Sequence, residues 1–326
     1  MTRNKTLFQE NIPNLLYINN LKSYFIFLRA EYIFTDCDLY DVNPGLSYQP
    51  GKFNVINLWH GDPIKAIGYI SQAKESKGKG GFSKVIFKNY FGNIVKLGCS
   101  SSLFFQKILN TGHLTEKYKI TGLPRNDIFF RNDLEIFNIK ENLHFDNYKK
   151  IFLYVPTWRQ DSYEIKPFSK NFIEILNSSC EENNFLFVIK SHQNSDSILY
   201  KNYSNIIDIS KGNLDSQEVM KYSDCMITDY SSIFIDFMLL DKPIFFYAYD
   251  YENYKNNLVN LVDDYENCVI KKGICYNEKD LLSYIKNIEN IFKDKNYKQN
   301  FHNLKNLYHK YQNGGYCEKI LELIKK

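Results

Sequence analysis

Two histidines in this chain closely follow runs of residues that favour β-strands. His60 comes directly after the run at 53–59, and His192 comes shortly after the run at 185–189. Ligands of open α/β sheets bind beyond the carboxyl ends of the strands, and a neutral imidazole there can take a proton from an attacking hydroxyl. A single histidine in a turn is more often structural, but two at equivalent strand ends predict a catalytic pair.

The residues around each histidine favour this interpretation. Gly61 and the proline after Asp62 predict a turn, and Asp62 or another carboxylate could orient the first imidazole. Lys65 follows in the same segment, and Lys190 stands two residues before the second histidine. Positive charge at these places suits a phosphorylated substrate.

A third strand end carries hydroxyl groups in the sequence MITDYSSIFIDF. Thr228, Asp229, Ser231 and Ser232 stand between a strand-like run and the start of a predicted helix. Backbone N–H groups at a helix start, together with hydroxyls, bind phosphate. Serine and aspartate are also common helix N-caps, so simple capping stays open as the alternative to a phosphate site.

Two further motifs contain arginine. In YVPTWRQD, Thr157 and Arg159 follow a strand, and arginine is suited to paired contacts with phosphate. In TGLPRND, the residues Arg125, Asn126 and Asp127 follow a proline turn. This second motif fits either a supporting role at the site or a link between domains.

Metal-dependent and several cofactor-dependent chemistries lose support. Asp36 and Asp38 form an Asp-x-Asp pattern, but so short a pattern arises by chance in a chain with 37 acidic residues. The seven cysteines are odd in number and widely spaced, which indicates a reducing compartment and no structural zinc site. A GxxxxGK[ST] loop, a GxGxxG turn after a strand, a GxSxG elbow and HExxH are all missing from the sequence. We therefore predict no bound metal.

The elements that must position these residues alternate between strands and helices. Continuous apolar runs are joined by amphipathic stretches, which indicates parallel strands covered on both faces. The runs are FNVINLW, NIVKLG, IFLYV, FLFVI, NIIDI, DCMIT and IFFYA, at 53–59, 93–98, 151–155, 185–189, 205–209, 224–228 and 244–248. The predicted fold is α/β and doubly wound, with two domains that face each other across a cleft.

Length and composition agree with that organisation. A chain of 326 residues usually forms two domains, and the polar stretch at 131–150 predicts a division into residues 1–140 and 141–326. The net charge of +4 is too small to indicate nucleic acid. The N-terminal sequence has no signal-like apolar region, and no apolar run approaches the roughly 20 residues of a membrane span. These features predict a cytoplasmic protein, with peripheral contact to the cytoplasmic face of the membrane left open.

The motifs together resemble those of the CDP-glycerol glycerophosphotransferases, the teichoic-acid and capsule polymerase and primase family. WHGDPIKAIG, TGLPRND, VPTWR, IKSHQN and ITDYSSIFIDFMLLDKPIFFYAYD occur in the family's order between about residue 50 and residue 255, and YQNGGYCEKILELI is similar to the family's final helix. The resemblance implies a GT-B fold, in which two Rossmann-like domains serve the acceptor and the CDP donor. It also implies that the final helix packs back on the first domain.

The resemblance further implies the reaction and the residues that perform it. A polyol phosphate, glycerol phosphate above all, passes from a CDP-activated donor to a hydroxyl of a cell-surface glycan or teichoic-acid precursor, and CMP leaves. No cofactor beyond the donor substrate is implied. His60 is the expected general base and His192 the expected ligand or acid for the donor phosphates. The other expected donor-site residues are Thr157, Arg159, Lys190, Thr228, Asp229, Ser231 and Ser232, and the acceptor-side or supporting residues are Gly61, Asp62, Lys65, Arg125, Asn126 and Asp127.

The sequence departs from the family pattern at three places. Asp62 stands where threonine is common, Gln193 stands where proline is common, and KNNLVNLVDDYENC replaces an Arg-Gly-aromatic segment after Tyr254. Donor and acceptor identity are therefore open, as are the number of transfers and the oligomeric state.

Two other functions are considered: a GT-B glycosyltransferase that uses a nucleotide sugar, and a catalytically silent protein that binds glycan. The expected partners are a CDP-polyol and a glycan or lipid-linked acceptor, without nucleic acid.

Overall fold

The structure of the chain is a computed structural model. It describes residues 21–37, 54–75, 95–157, 167–191, 203–211, 214–257 and 261–325. Two of the predicted site residues, Arg159 and His192, lie outside these ranges, and so does Asp38.

A four-stranded parallel sheet is built between residues 21 and 123. Its strands lie in the order β1 (Tyr32–Thr35), β2 (Asn54–Asn57), β3 (Val95–Ser100) and β4 (Tyr118–Ile120). The helices of this part are α1 (Leu21–Arg29), α2 (Gly68–Glu75) and α3 (Leu103–His113). Thr35 and Asn57 are partners in the β1–β2 register, so these two strands end side by side.

A six-stranded parallel sheet follows. Its strands are β5 (Lys150–Val155), β6 (Phe185–Ile189), β7 (Ile206–Asp208), β8 (Cys225–Thr228), β9 (Ile244–Tyr247) and β10 (Ile274–Cys275). They lie in the order β10-β9-β8-β5-β6-β7. After β5 the chain forms β6 and β7 on one side of that strand, and it then returns to form β8 on the other side of β5. The ends of β5 and β8 are thus a topological switch point, the usual ligand position in an open α/β sheet.

Helices connect the strands of the second sheet and continue beyond it. They are α4 (Ile139–Asn142), α5 (Lys170–Asn183), α6 (Ser216–Tyr222), α7 (Ile233–Phe237), α8 (Tyr251–Asn257), α9 (Tyr265–Cys268), α10 (Glu278–Lys286), α11 (Ile288–Lys293), α12 (Lys295–Tyr308) and α13 (Tyr316–Lys325). Short 3₁₀ turns lie at Pro124–Phe129, Phe145–Asn147, Met238–Leu240 and Lys271–Gly273. In the described residues, no helix is long and apolar enough to cross a membrane.

The chain forms two compact units. Unit 1 takes the described residues within Met1–Asp62, Ile67–Leu123 and Cys317–Lys326, and unit 2 takes Pro63–Ala66 and those within Pro124–Tyr316. The chain therefore passes from one unit to the other at four places. The division predicted at residues 140 and 141 falls inside unit 2, because α4 packs on α6 of the second sheet.

Each unit has its own apolar core. In unit 1, Ile320 of α13 packs with Ile56 and Leu97 of the sheet. In unit 2, β6 is buried along its whole length, and α5 and α10 cover one face of the sheet with Leu176 and Leu281. Strands buried on both faces need continuous apolar runs, which is why the sequence pattern identified them.

The predicted α/β fold with parallel sheets is confirmed, and all seven predicted strand runs contain a strand. The strands β1, β4 and β10 were not predicted. They are four, three and two residues long, too short to show a clear period in the sequence.

Candidate active site

His60 stands in a sharply turned segment just beyond β2 in unit 1. Trp59 has a φ of 59°, in the left-handed region that costs a bulky residue about 1–3 kcal/mol. The backbone N–H of Trp59 donates to Asn57 Oδ1 at 2.9 Å, which holds the turn. Gly61 follows with a φ of 148°, a conformation that glycine adopts without strain. The turn leaves the His60 side chain exposed.

A main-chain carbonyl orients the His60 ring. His60 Nδ1 lies 3.1 Å from the carbonyl oxygen of Asp36, which follows β1. Since a carbonyl oxygen can only accept, Nδ1 carries the proton, and the proton-accepting lone pair is on Nε2. In this tautomer the imidazole can act as a general base through Nε2.

Asp62 was expected to contribute a carboxylate near the base. It is 1% exposed, and its Oδ1 accepts from the backbone N–H of Ser101 at 3.4 Å. It thus ties the turn after β2 to the segment after β3. Nδ1 of His60 donates to the Asp36 carbonyl in the segment after β1.

A chain of aromatic rings packs next to His60. The Trp59 ring lies 4.5 Å from the His60 ring and meets the His113 ring edge-on at 4.9 Å. His113 in turn stacks on Tyr118 at 5.2 Å. Burial, with a smaller contribution from His60, lowers the pKa of His113 to about 3. His113 is therefore a neutral packing group, and sequence reasoning did not identify it.

In unit 2, Asp229 organises the switch point between β5 and β8. Its Oδ1 accepts from the backbone N–H and the hydroxyl of Thr157, at 2.8 and 2.6 Å, and from the N–H of Tyr230 at 2.6 Å. Thr228 donates its hydroxyl to the Val155 carbonyl at 2.6 Å. Both Thr228 and Asp229 are fully buried. Their side chains position the loop, and their expected role in holding the pyrophosphate stays a prediction.

Two serines of the same loop are partly exposed. Ser231 Oγ accepts from the N–H of Ile233 at 3.4 Å, a weak capping contact. Ser232 occupies the N-cap position of α7, but its side chain makes no capping hydrogen bond. The capping alternative accounts for Ser231 in part and does not account for the hydroxyl of Ser232.

Lys190 lies just beyond β6, the other neighbour of β5. Its backbone N–H donates to the Tyr154 carbonyl at 2.9 Å, which fixes it next to the end of β5. Burial lowers the pKa of the Lys190 amine, and Asp215 opposes that effect. A half-buried cation beside the switch point can bind an anionic group.

The RND motif is an internal link of unit 2. Asp236 of α7 is 1% exposed and accepts from the guanidinium of Arg125 and from Asn126 Nδ2, the latter at 2.6 Å. Asp127 Oδ1 accepts from the N–H of Tyr316 at 2.9 Å. All three motif residues therefore fix the 3₁₀ turn at Pro124–Phe129 to other parts of unit 2. Their expected role at the acceptor side stays a prediction.

Lys65 belongs to the short segment of unit 2 that follows the His60 turn. It forms an antiparallel bridge with Leu261, and its amine lies 5.6 Å from the centre of the Tyr254 ring. Tyr254 stacks on Tyr230 at 3.6 Å. Lys65 thus packs against Tyr254, which stacks on the tyrosine that precedes the two serines.

Within the described ranges, no group of three or more histidine, cysteine or acidic side chains is arranged to hold a metal ion. Asp36, half of the Asp-x-Asp pattern, contributes its carbonyl to His60.

Comparisons with known proteins give the family. Residues 3–326 match the family model described as CDP-Glycerol:Poly(glycerophosphate) glycerophosphotransferase. The chain is 30% identical to a teichoic acid poly(glycerol phosphate) polymerase of Bacillus spizizenii, over 98% of this chain and 81% of that protein. It is 31% identical to a teichoic acid glycerol-phosphate transferase of Staphylococcus aureus, over 76% of this chain and 65% of that protein.

A solved structure shares the fold. The wall teichoic acid polymerase TagF superposes with a TM-score of 0.77 and 24% identity, over 96% of this chain and 77% of that one. This likeness agrees with the predicted α/β architecture of two parallel sheets. The family resemblance inferred from the motifs is confirmed: the chain belongs to the CDP-glycerol:poly(glycerophosphate) glycerophosphotransferase family and is a transferase of that class.

Proposed function

We propose that the protein transfers glycerol phosphate from CDP-glycerol to a hydroxyl of a teichoic-acid-type acceptor and releases CMP. The observation that carries this proposal is the state of His60, whose Nδ1 is held by the Asp36 carbonyl at 3.1 Å. Nε2 is then the ring nitrogen that would take the proton of an incoming hydroxyl. In this assignment unit 1 serves the acceptor and unit 2 serves the donor.

The proposed step is a displacement at phosphorus. The acceptor oxygen attacks the phosphorus that carries the glycerol, and its proton passes to Nε2 of His60. The bond from that phosphorus to the bridging oxygen breaks, and CMP leaves with both electrons of the bond. The proton on His60 is then lost to solvent, which restores the base.

The donor phosphates are assigned to the switch point of unit 2. The partly exposed Ser231 and Ser232 follow β8, and the half-buried Lys190 follows β6. These two strands are the neighbours of β5 in the sheet. Thr157 is held there by Asp229 at 2.6 Å. Arg159 and His192 join this set by family resemblance. Fixed donors of this kind offset the charge that develops on the leaving phosphate.

Glycerol is the polyol that the relatives favour. Both relatives named above carry glycerol phosphate in their names. The departures from the family pattern at Asp62 and after Tyr254 leave the donor open, so CDP-ribitol is the first alternative donor to try.

CMP release from CDP-glycerol with a glycerol-phosphate-primed acceptor tests the proposal. We expect His60→Ala to lower the rate by roughly 10²-fold or more, since that is the contribution of a general base. His302→Ala is the matched control, because His302 is an exposed histidine on α12. Full activity in His60→Ala, or release of a nucleoside diphosphate from a nucleotide sugar, would overturn the proposal.

We further propose that the protein meets a lipid-linked acceptor at the cytoplasmic face of the membrane. On α1, Phe25 and Ile26 are 62% and 40% exposed, and Lys22 and Arg29 on the same helix are exposed too. Apolar and basic groups on one surface helix suit an anionic bilayer. Flotation with anionic liposomes should carry the wild type and lose the double variant Phe25→Ser and Ile26→Ser, and equal flotation of both would contradict this contact.

A further inference from the structure

The turn that presents the Asp36 carbonyl to His60 is itself shaped by one side chain. Thr35, the last residue of β1, accepts the Cys37 N–H on its Oγ1 at 3.2 Å and donates its hydroxyl to the Cys37 carbonyl at 2.8 Å. Asp36 lies between the two bonded residues. The hydroxyl of Thr35 therefore closes a local turn around Asp36, a standard role for threonine next to a backbone segment.

The neighbouring strand uses the same device. Asn57, the register partner of Thr35, closes the turn after β2 by accepting the Trp59 N–H at 2.9 Å. The Leu58 N–H donates to the Thr35 carbonyl at 2.7 Å, which extends the pairing of the two strands by one bond. Two adjacent strand ends thus carry side chains that bend the following residues into place, and the bends bring the Asp36 carbonyl to His60 Nδ1.

Burial makes this arrangement rigid. Thr35 is 6% exposed and Asn57 is fully buried, so water has little access to their side chains. A threonine whose only task was to occupy β1 would not need its hydroxyl, since valine has the same shape and favours strands.

From these contacts we propose that Thr35 is a positioning residue for His60, which acts by fixing the Asp36 carbonyl that selects the Nδ1-protonated tautomer. The inference rests on the proposed function for its effect on catalysis. Its effect on the tautomer is independent of that function, so the two can fail separately.

The test is Thr35→Val, with ¹⁵N-labelled histidine observed by NMR near pH 8, where a histidine of ordinary pKa is neutral. The chain has six histidines, and the His60 signals are assigned from their loss in His60→Gln. We expect the wild type to give the Nδ1-protonated pattern, Thr35→Val to shift towards the Nε2-protonated pattern, and Thr35→Ser to restore it. The kcat for CMP release should fall roughly 3- to 10-fold in Thr35→Val with little change in KM, the effect of one lost hydrogen bond.

Thr121→Val is the matched control. Thr121 is a fully buried threonine just after β4 that donates its hydroxyl to a neighbouring carbonyl, that of Gly122, at 2.7 Å. This variant should leave the tautomer and kcat unchanged. An unchanged His60 tautomer in Thr35→Val, or a loss of kcat without a tautomer shift, would overturn the proposal. A tautomer shift in Thr35→Val together with full activity of His60→Ala would support the positioning role and refute the proposed function.

Discussion

The link between Asp236 and the RND motif makes a quantitative prediction for Asp236→Asn. Asparagine has the same shape but loses the charge, and its amide group would face the Arg125 guanidinium or the Asn126 amide. Hydrogen bonds to a charged group contribute about 1.5–3 kcal/mol, and loss of a buried ion-pair partner costs about 3–5 kcal/mol. Asp236 is 1% exposed but Arg125 is 31% exposed, so water offsets part of the loss. We expect the free energy of unfolding to fall by about 2–3 kcal/mol.

Thermal and urea unfolding measure this loss. For a unit of roughly 200 residues, about 2–3 kcal/mol corresponds to a fall in Tm of roughly 4–12 °C. Asp133→Asn is the matched control, because Asp133 pairs with Arg131 at 2.6 Å while the two side chains are 64% and 44% exposed, and such surface pairs contribute little. A double-mutant cycle of Asp236→Asn with Arg125→Gln should give a coupling energy above about 1 kcal/mol. Equal small effects of the two Asp→Asn variants would refute the argument.

Two further buried groups give predictions of the same kind. Glu218 is fully buried and accepts from the N–H groups of Ile136, Phe137 and Ile139 at 3.0–3.2 Å. Because Glu218→Gln keeps only one accepting oxygen, we expect the free energy of unfolding to fall by about 2 kcal/mol and hydrogen exchange at those amides to become faster. The control Glu322→Gln, at an exposed position, should change neither quantity. His309 is 3% exposed, its Nε2 donates to the Ile235 carbonyl at 2.7 Å, and burial lowers its pKa to about 4. As the pH falls, the His309 imidazole is protonated in the unfolded chain before it is protonated in the folded one. The contribution of His309 to the free energy of unfolding is therefore complete above about pH 6.5, and it falls by up to about 1.4 kcal/mol per pH unit as the pH drops towards 4. His309→Gln should flatten that slope in urea titrations, and an unchanged slope would assign it to other groups.

The sequence predicted the parts of the site that depend on local pattern. The apolar runs predicted where the strands end. His60, Ser231 and Lys190 were then predicted as site residues because they are polar and follow those ends. Their placement beyond β2, β8 and β6 follows from strand periodicity and needs no long-range information. The assignment of catalytic roles to these residues remains a prediction.

The contacts that orient those residues could not be predicted from spacing. The Asp36 carbonyl meets a ring 24 residues away, and Arg125 meets Asp236 across 111 residues. Contacts of this kind depend on strand order and register, which a single sequence does not give. The side chains of Thr228 and Asp229 hold nearby backbone groups, and their contact with the pyrophosphate remains a prediction. A polar side chain after a strand can bind a ligand or hold backbone. A TDYSS pattern alone does not distinguish these.

The placement of α13 with unit 1 has a consequence for synthesis of the chain on the ribosome. Ile320 belongs to the core that also contains Ile56 and Leu97, yet every residue of unit 2 is translated before it. Domains usually fold in the order in which they emerge. Here the unit that begins first is the one that is completed last, and until Ile320 arrives it exposes the apolar face that α13 will cover. A chain truncated after Tyr316 and released from the ribosome should therefore contain a folded unit 2 and a protease-sensitive unit 1.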